Sequence, residues 1–240
     1  MKFLLLRPRN KILASTAKMI EAGIPTVGLA LMDIVPRQQT VHQLASILDK
    51  EPAEALAIFT STNAASLALQ YQPNWPANLQ ALAVGESTAE VLKQAGITVQ
   101  YPKQASTEGL LAMAELADVQ GKTVFLFKGT GGREELALQL QAKGASVLPI
   151  ELYERKKLLA PEASEAWQKD HIQCIIATSG ELVEAAYELL DESWLNSLPW
   201  ILVSQRIADI VAMRGVSQLF ISENASDKAI IESARKFLEC

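Results

Sequence analysis

Six short segments of the 240-residue chain carry residue types suited to holding an anion. They are Arg7-Pro8-Arg9, Thr60-Ser61-Thr62, Gly85-Glu86-Ser87-Thr88, Lys128-Gly129-Thr130-Gly131-Gly132-Arg133, Thr178-Ser179-Gly180 and Ser204-Gln205-Arg206. Each follows an unbroken apolar run and opens a helical pattern. A helix start presents unpaired N–H groups and the positive end of the helix dipole, and Ser or Thr adds a hydroxyl donor. Six such loops suit a ligand bearing several negative groups. The same residue types are ordinary helix N-caps, so capping alone accounts for any single serine or threonine. Capping does not need arginine, which sets Arg7 and Arg206 apart.

The Gly129-Thr130-Gly131-Gly132 cluster is not a phosphate-binding P-loop, because no Lys-Ser/Thr pair follows it. It also fails the dinucleotide fingerprint, since Glu134 stands where the third glycine belongs; Glu151 has a ribose-like spacing but follows a broken motif. Ser-His-Asp arrangements, HExxH, CxxC and paired histidines are missing from the sequence. Chemistry here must rest on carboxylates, tyrosine, backbone dipoles and the positioning of a ligand.

The elements that position these loops come from a duplication. Phe59-Thr60-Ser61 has its counterpart in Ala177-Thr178-Ser179, and Leu82 to Val91 in Ile201 to Ile210, each about 119 residues later. Gly96 then falls opposite Gly215, Ser106-Thr107-Glu108 opposite Ala225-Ser226-Asp227, Phe3 to Arg7 opposite Val124 to Lys128, and Gly23 opposite Gly144. Repeats in one order at nearly one offset, 118 to 121 residues, indicate two copies of a unit of about 120 residues. Within each copy, apolar runs (Phe3 to Leu6, Leu56 to Phe59, Leu82 to Val84, Val124 to Phe127, Cys174 to Ala177, Trp200 to Val203) alternate with helical segments such as Ser87 to Gln94 and Glu134 to Lys143. Unbroken apolar strands joined by helices predict parallel sheets covered on both faces, and so two small α/β domains. Ligands of such sheets sit beyond the carboxyl ends of the strands, where the six loops lie.

Composition narrows the partners. With 22 basic and 27 acidic residues the net charge is −5, and no basic face is apparent, which argues against nucleic acid. Two cysteines, Cys174 and Cys240, and two histidines provide neither a disulfide framework nor a metal set. No apolar run is long enough for a membrane span, and Phe3 to Leu6 is too short for a signal peptide. A soluble, cytoplasmic protein is the expectation, with a monomer as the default.

Several segments, taken in order, resemble the uroporphyrinogen-III synthase family. They are Leu6-Arg7-Pro8, Phe59-Thr60-Ser61, Val84-Gly85-Glu86-Ser87-Thr88-Ala89, Ser106-Thr107-Glu108-Gly109-Leu110-Leu111, Val147 to Arg155 and Thr178-Ser179-Gly180. Each is short; the ordered set along the whole chain carries the likeness. The resemblance implies an α/β fold of two small similar domains, each a parallel sheet flanked by helices, joined by a two-stranded linker with a cleft between them. The chain would leave the first domain near Ile34-Val35-Pro36-Arg37 and return near Leu152 to Lys156. One domain would then comprise residues 1–35 plus 157–240, and the other 36–155.

The implied reaction is the cyclisation of hydroxymethylbilane, a linear tetrapyrrole polycarboxylate, to uroporphyrinogen III in tetrapyrrole and heme biosynthesis. Water is lost and the terminal ring is inverted. No metal or cofactor is implied, and transient contact with hydroxymethylbilane synthase is the implied protein partnership. Carried over by position, the substrate contacts would be Arg7, Ser61, Thr62, Ser87, Thr88, Lys128, Ser179, Gln205 and Arg206. Tyr153 would donate a proton to the leaving hydroxyl; an aromatic anchor for the linker strand is the other role it could have. Gly85 is replaced by Ser204 in the second copy, so the two sets of loops are not equivalent. A two-domain protein that binds an anion without altering it, and a nucleotide-dependent enzyme using the Gly129 loop, are the competing readings.

Overall fold

The computed structural model describes residues 2–49, 55–131 and 134–239. Gly132, Arg133 and Cys240, named above, lie outside them. In chain order the strands are β1 (Lys2–Arg7), β2 (Thr26–Pro36), β3 (Ala55–Phe59), β4 (Gln80–Ala83), β5 (Val99–Gln100), β6 (Thr123–Gly129), β7 (Ser146–Ala163), β8 (Ile172–Ala177), β9 (Trp200–Leu202) and β10 (Leu219–Ile221). The helices are α1 (Arg9–Glu21), α2 (Gln38–Leu48), α3 (Thr62–Tyr71), α4 (Glu86–Gln94), α5 (Thr107–Leu111), α6 (Glu135–Ala142), α7 (Gly180–Leu189), α8 (Glu192–Asn196), α9 (Gln205–Ala212) and α10 (Asp227–Leu238). Among the described residues, no helix is long and apolar enough to cross a membrane.

The chain divides into two compact units, Met1–Ile34 with Lys156–Cys240, and Val35–Arg155. In the first, the strand order is β2-β1-β8-β9-β10; in the second it is β7-β6-β3-β4-β5. Every neighbouring pair within these two sets is parallel. The orders correspond strand for strand when β1 is matched with β6, β3 with β8 and β4 with β9, as the sequence repeat requires. The strands are nevertheless exchanged: β1 and β2 of the first copy join β8, β9 and β10 of the second copy.

The apolar runs form strands because both of their faces are covered. In β1, Leu4 and Leu6 pack in a cluster with Leu182 and Val183 of α7 and Ile207 and Val211 of α9. Phe3 and Leu5 turn the other way, onto Ile12 and Met19 of α1 and Ile230 of α10. The second unit repeats the scheme. Leu56, Ile58, Val124 and Leu126 meet Leu110, Leu136 and Leu140 on one face. Phe59 stacks on Phe127 at 4.5 Å between ring centres, with Trp75 against both. Complete burial of such side chains is worth about 1.5–3 kcal/mol each, which is why four to six consecutive apolar residues suffice to hold a strand.

Serine caps set the helix starts. Ser61, Ser179, Ser204 and Ser226 accept hydrogen bonds from Ala64, Leu182, Ile207 and Ala229 N–H at 3.1, 3.3, 3.4 and 3.2 Å. Ser106 does the same for α5 through Gly109 N–H at 3.0 Å. The caps pair Ser106 with Ser226, one position away from the sequence alignment that set Ser106 opposite Ala225. Shared capping, not residue identity, fixes the register there. Gly23 and Gly144 close α1 and α6 with φ of 80° and 85°. That conformation lets Ile24 and Ala145 N–H reach back to Met19 and Leu140 carbonyls at 2.9 and 3.1 Å.

Candidate active site

The carboxyl ends of β3 and β6 and the middle of β7, all in the second unit, surround a cavity of about 180 Å³. Its apolar floor is Val84, Leu110, Leu126 and Leu136; its polar rim is Thr60, Ser61, Thr107, Lys128, Tyr153 and Arg155, with Gly129 and Gly131 between. Among the described residues, two cations and no carboxylate line it. An apolar floor under a cationic, hydroxyl-bearing rim suits a flat ring that carries acidic side chains.

Tyr153 owes its place to an irregularity in the β6–β7 ladder. Lys128 pairs with Glu151, but Gly129 pairs with Tyr153, so β7 carries one extra residue. The bulge lets both Leu152 and Tyr153 turn inward, at 0% and 1% exposure. Thr130 N–H donates to the Tyr153 carbonyl at 2.7 Å and fixes the loop after β6 against it. A Cβ at residue 129 would lie 2.6 Å from two ring carbons of Tyr153, so glycine is what admits the ring. The cluster thus serves as a platform for an aromatic side chain.

The phenol oxygen is 3.0 Å from Ser61 Oγ and accepts a hydrogen bond from Arg155 Nη2 at 3.3 Å. The Arg155 guanidinium also lies 5.3 Å from the centre of the Tyr153 ring, within cation–π range. Arg155 and Gly129 were not among the contacts expected from the sequence. Arg155 stands two residues after Tyr153, so strand periodicity alone would have put both side chains on one face.

The other expected contacts are distributed as follows. Thr62 begins α3, half-buried; Ser87 is exposed, and Thr88 is 2% exposed within α4. Gly85 caps α4 without a side chain, and a Cβ there would lie 2.7 Å from that of Ala105, whereas Ser204 at the start of α9 is a working cap. Ser179, Gln205, Arg206 and Arg7 belong to the first unit. Gln205 Nε2 donates to Asp209 at 2.8 Å, and Arg206 is exposed.

Arg7 is 6% exposed and engaged within the first unit. Its Nη2 donates to the Ala225 carbonyl at 2.7 Å and lies 3.0 Å from Asp227 Oδ1. Asp227 also accepts from Ser15 Oγ and Lys18 Nζ, both at 2.7 Å. Burial lowers the Arg7 pKa, against the opposing pull of Asp227. Burial, with the charge of Arg7, pushes the nearby Lys11 ammonium down to about 8 despite Asp227.

A family model described as "Uroporphyrinogen-III synthase HemD" matches residues 14–232. The chain belongs to the uroporphyrinogen-III synthase family. A uroporphyrinogen-III synthase of Escherichia coli K12 is 29% identical over 214 residues, covering 85% of this chain and 87% of the relative. One from Salmonella typhimurium is 30% identical over 168 residues, covering 67% and 68%. Among solved structures, a uroporphyrinogen-III synthetase of Helicobacter pylori aligns with a TM-score of 0.62 at 17% identity, over 99% of this chain and all of that one. A mutant uroporphyrinogen III synthase of Thermus thermophilus gives 0.61 at 15% identity over the whole of both. These two likenesses show the uroporphyrinogen-III synthase fold.

Proposed function

We propose that the protein is a uroporphyrinogen-III synthase that cyclises hydroxymethylbilane to uroporphyrinogen III with loss of water and inversion of the terminal pyrrole ring. The observation that carries this reading is the second-unit cavity: a tyrosine hydroxyl above an apolar floor, with Lys128 and Arg155 and no carboxylate among the described residues around it. Family membership supplies the reaction, and the cavity supplies a place for one acidic pyrrole. Lys128 would hold a carboxylate, while Ser61 and Arg155 meet the substrate beside the Tyr153 hydroxyl to which they are hydrogen-bonded. Thr62, Ser87, Thr88, Ser179, Gln205, Arg206 and Arg7 would be further contacts by family position. An acidic protein can hold a polyanion in this way, since each hydrogen bond to a charged group nets about 1.5–3 kcal/mol.

Tyr153 donates the proton with which the terminal hydroxyl leaves as water, and the pyrrole nitrogen's electron pair stabilises the carbon left behind. The substituted carbon of the last ring attacks it, a spiro intermediate forms and breaks, and the ring closes inverted. These steps are proton transfers, one heterolytic C–O cleavage and carbon–carbon bond changes, all without net oxidation or reduction, so the scheme assigns no electron carrier. Direct closure without inversion gives the type I isomer. Favouring inversion a hundred- to a thousandfold needs only about 3–4 kcal/mol of differential stabilisation, within the reach of positioning.

The test is to supply purified protein with freshly generated hydroxymethylbilane, oxidise the product and separate the porphyrin isomers. Predominance of isomer III is expected. Isomer I at the rate without enzyme, from folded protein, would overturn the reading in favour of a protein that binds an anion without altering it.

A further inference from the structure

Ser61 Oγ already accepts the Ala64 N–H at 3.1 Å, as the cap of α3. It has one acceptor position and one proton left. Tyr153 Oη, 3.0 Å away, shares a single hydrogen bond with it and accepts another from Arg155 Nη2. Of the two hydroxyl protons, one is therefore used between the two oxygens and one remains for the cavity that both residues line. Once a proton has left through Tyr153, the Ser61 O–H and the Arg155 N–H both point at the same phenolate oxygen. Gly129 holds the ring in that position by leaving room for it.

We infer that Ser61 and Arg155 are positioning residues that stabilise the Tyr153 phenolate formed when the substrate's hydroxyl departs. The inference rests on the proton-donor role given to Tyr153 above. The balance is closed: the phenol proton joins the leaving hydroxyl, the C–O electron pair goes to the departing water, and the negative charge stays on Tyr153 between two donors. The proton released from the last ring as the macrocycle closes returns to that oxygen. A cap that only holds a helix needs no side-chain partner, whereas Ser61 has Tyr153 at hydrogen-bond distance.

The experiment combines Ser61→Ala, Ser61→Gly and Arg155→Met with incorporation of 3-fluorotyrosine, a more acidic phenol, at position 153. Each substitution is expected to lower kcat roughly ten- to a hundredfold, the value of a hydrogen bond to a charged group, with KM for hydroxymethylbilane changed far less. Ser61→Gly separates the effect from capping, because glycine at an N-cap costs helix stability only a few tenths of a kcal/mol relative to serine. Ser61→Thr should restore the rate. Fluorotyrosine should recover much of the loss in the Ser61 and Arg155 variants, since a phenolate that is intrinsically more stable depends less on its donors. A loss of kcat that fluorotyrosine leaves untouched, or an effect confined to KM, overturns the inference. A separate readout needs no turnover: the 13C resonance of the Tyr153 ring carbon bearing oxygen should move in both the Ser61→Ala and Arg155→Met proteins. If parent protein yields only isomer I while that resonance does move, the proposed reaction fails and the hydrogen-bonded unit stands. If isomer III forms and the resonance does not move, the unit fails and the reaction stands.

Discussion

Arg7 at the end of β1 and Asp227 at the start of α10 face each other at 3.0 Å across 220 residues of sequence. Burial pulls the Asp227 carboxyl upward, but hydrogen bonds from Lys18 and Ser15 and the charges of Arg7 and Lys18 outweigh it and leave its pKa below the ordinary value. A carboxyl lowered in the folded state stabilises the protein above its unfolded pKa, and that stability is lost as pH falls through the folded value. Asp227→Asn should therefore destabilise the protein at pH 7 by about 2–3 kcal/mol, less than the roughly 3–5 kcal/mol of a fully buried pair because Asp227 is partly wet. Urea unfolding across pH should show parent and variant converging below about pH 4. A gap independent of pH would mean that the ion pair does not carry the difference.

Gly129→Ala tests the platform under Tyr153. The added methyl meets the ring itself, so stability should fall by about 1–3 kcal/mol, the range for overpacked sites. Turnover should fall at least as far as in Tyr153→Phe, where general acid catalysis predicts a loss of roughly a hundredfold with little change in binding. In a double-mutant cycle, Tyr153→Ala should erase most of the stability cost of Gly129→Ala. Additive losses would place the strain elsewhere.

Ser179 occupies in the first unit the position that Ser61 occupies in the second, and the two should differ kinetically. At the offset that matches Gly23 with Gly144, Met32 falls opposite Tyr153, and Met32 is packed in the core. Ser179→Ala should cost about 1 kcal/mol of stability, and Ser179→Asn should recover it by capping. On the proposal that the Ser179 hydroxyl holds a substrate carboxylate, the Asn protein should show KM raised about tenfold or more and kcat nearly unchanged. A fall in kcat instead would give the two serines the same role.

Cys174 is buried in β8, and burial pushes its thiol well above the usual range despite a hydrogen bond from the Ile201 backbone. Since the thiolate is the reactive form, iodoacetamide should modify the Cys174 peptide in native protein only at the rate at which the protein opens. Fast labelling by mass spectrometry without denaturant would contradict this packing.

What the sequence discloses follows from how locally each feature is encoded. The runs Phe3 to Leu6, Leu56 to Phe59, Val124 to Phe127 and Cys174 to Ala177 lie within strands because both faces of each are covered. The serine caps are legible for the same reason, as each needs only the three residues that follow. The length of β7 is not legible, because beyond Tyr153 it passes through Glu154-Arg155-Lys156-Lys157 and a fully exposed Leu159, a polar stretch whose pairing no local pattern announces. The bulge that turns Tyr153 inward depends on the register against β6. Arg7 stands out as more than a cap, but its acidic partner lies in a helix near the other end of the chain.

The exchange of strands between the two copies has a consequence for how the polypeptide acquires its structure as it is made. β1 and β2 emerge early but must wait for β8, whereas Val35–Arg155 contains a complete set of its own strands. Near the two ends of that segment, Arg37 N–H is bonded to the Leu152 carbonyl at 2.8 Å. Once folded, the inserted unit therefore acts as a clasp that brings the two flanking stretches of chain side by side. Closing an unstructured loop of that length would cost about 4 kcal/mol of chain entropy, and the clasp removes most of this cost before the outer sheet assembles. The topology therefore favours assembly from the inside outward, with the tyrosine pocket expected to be complete before the unit that holds Arg7.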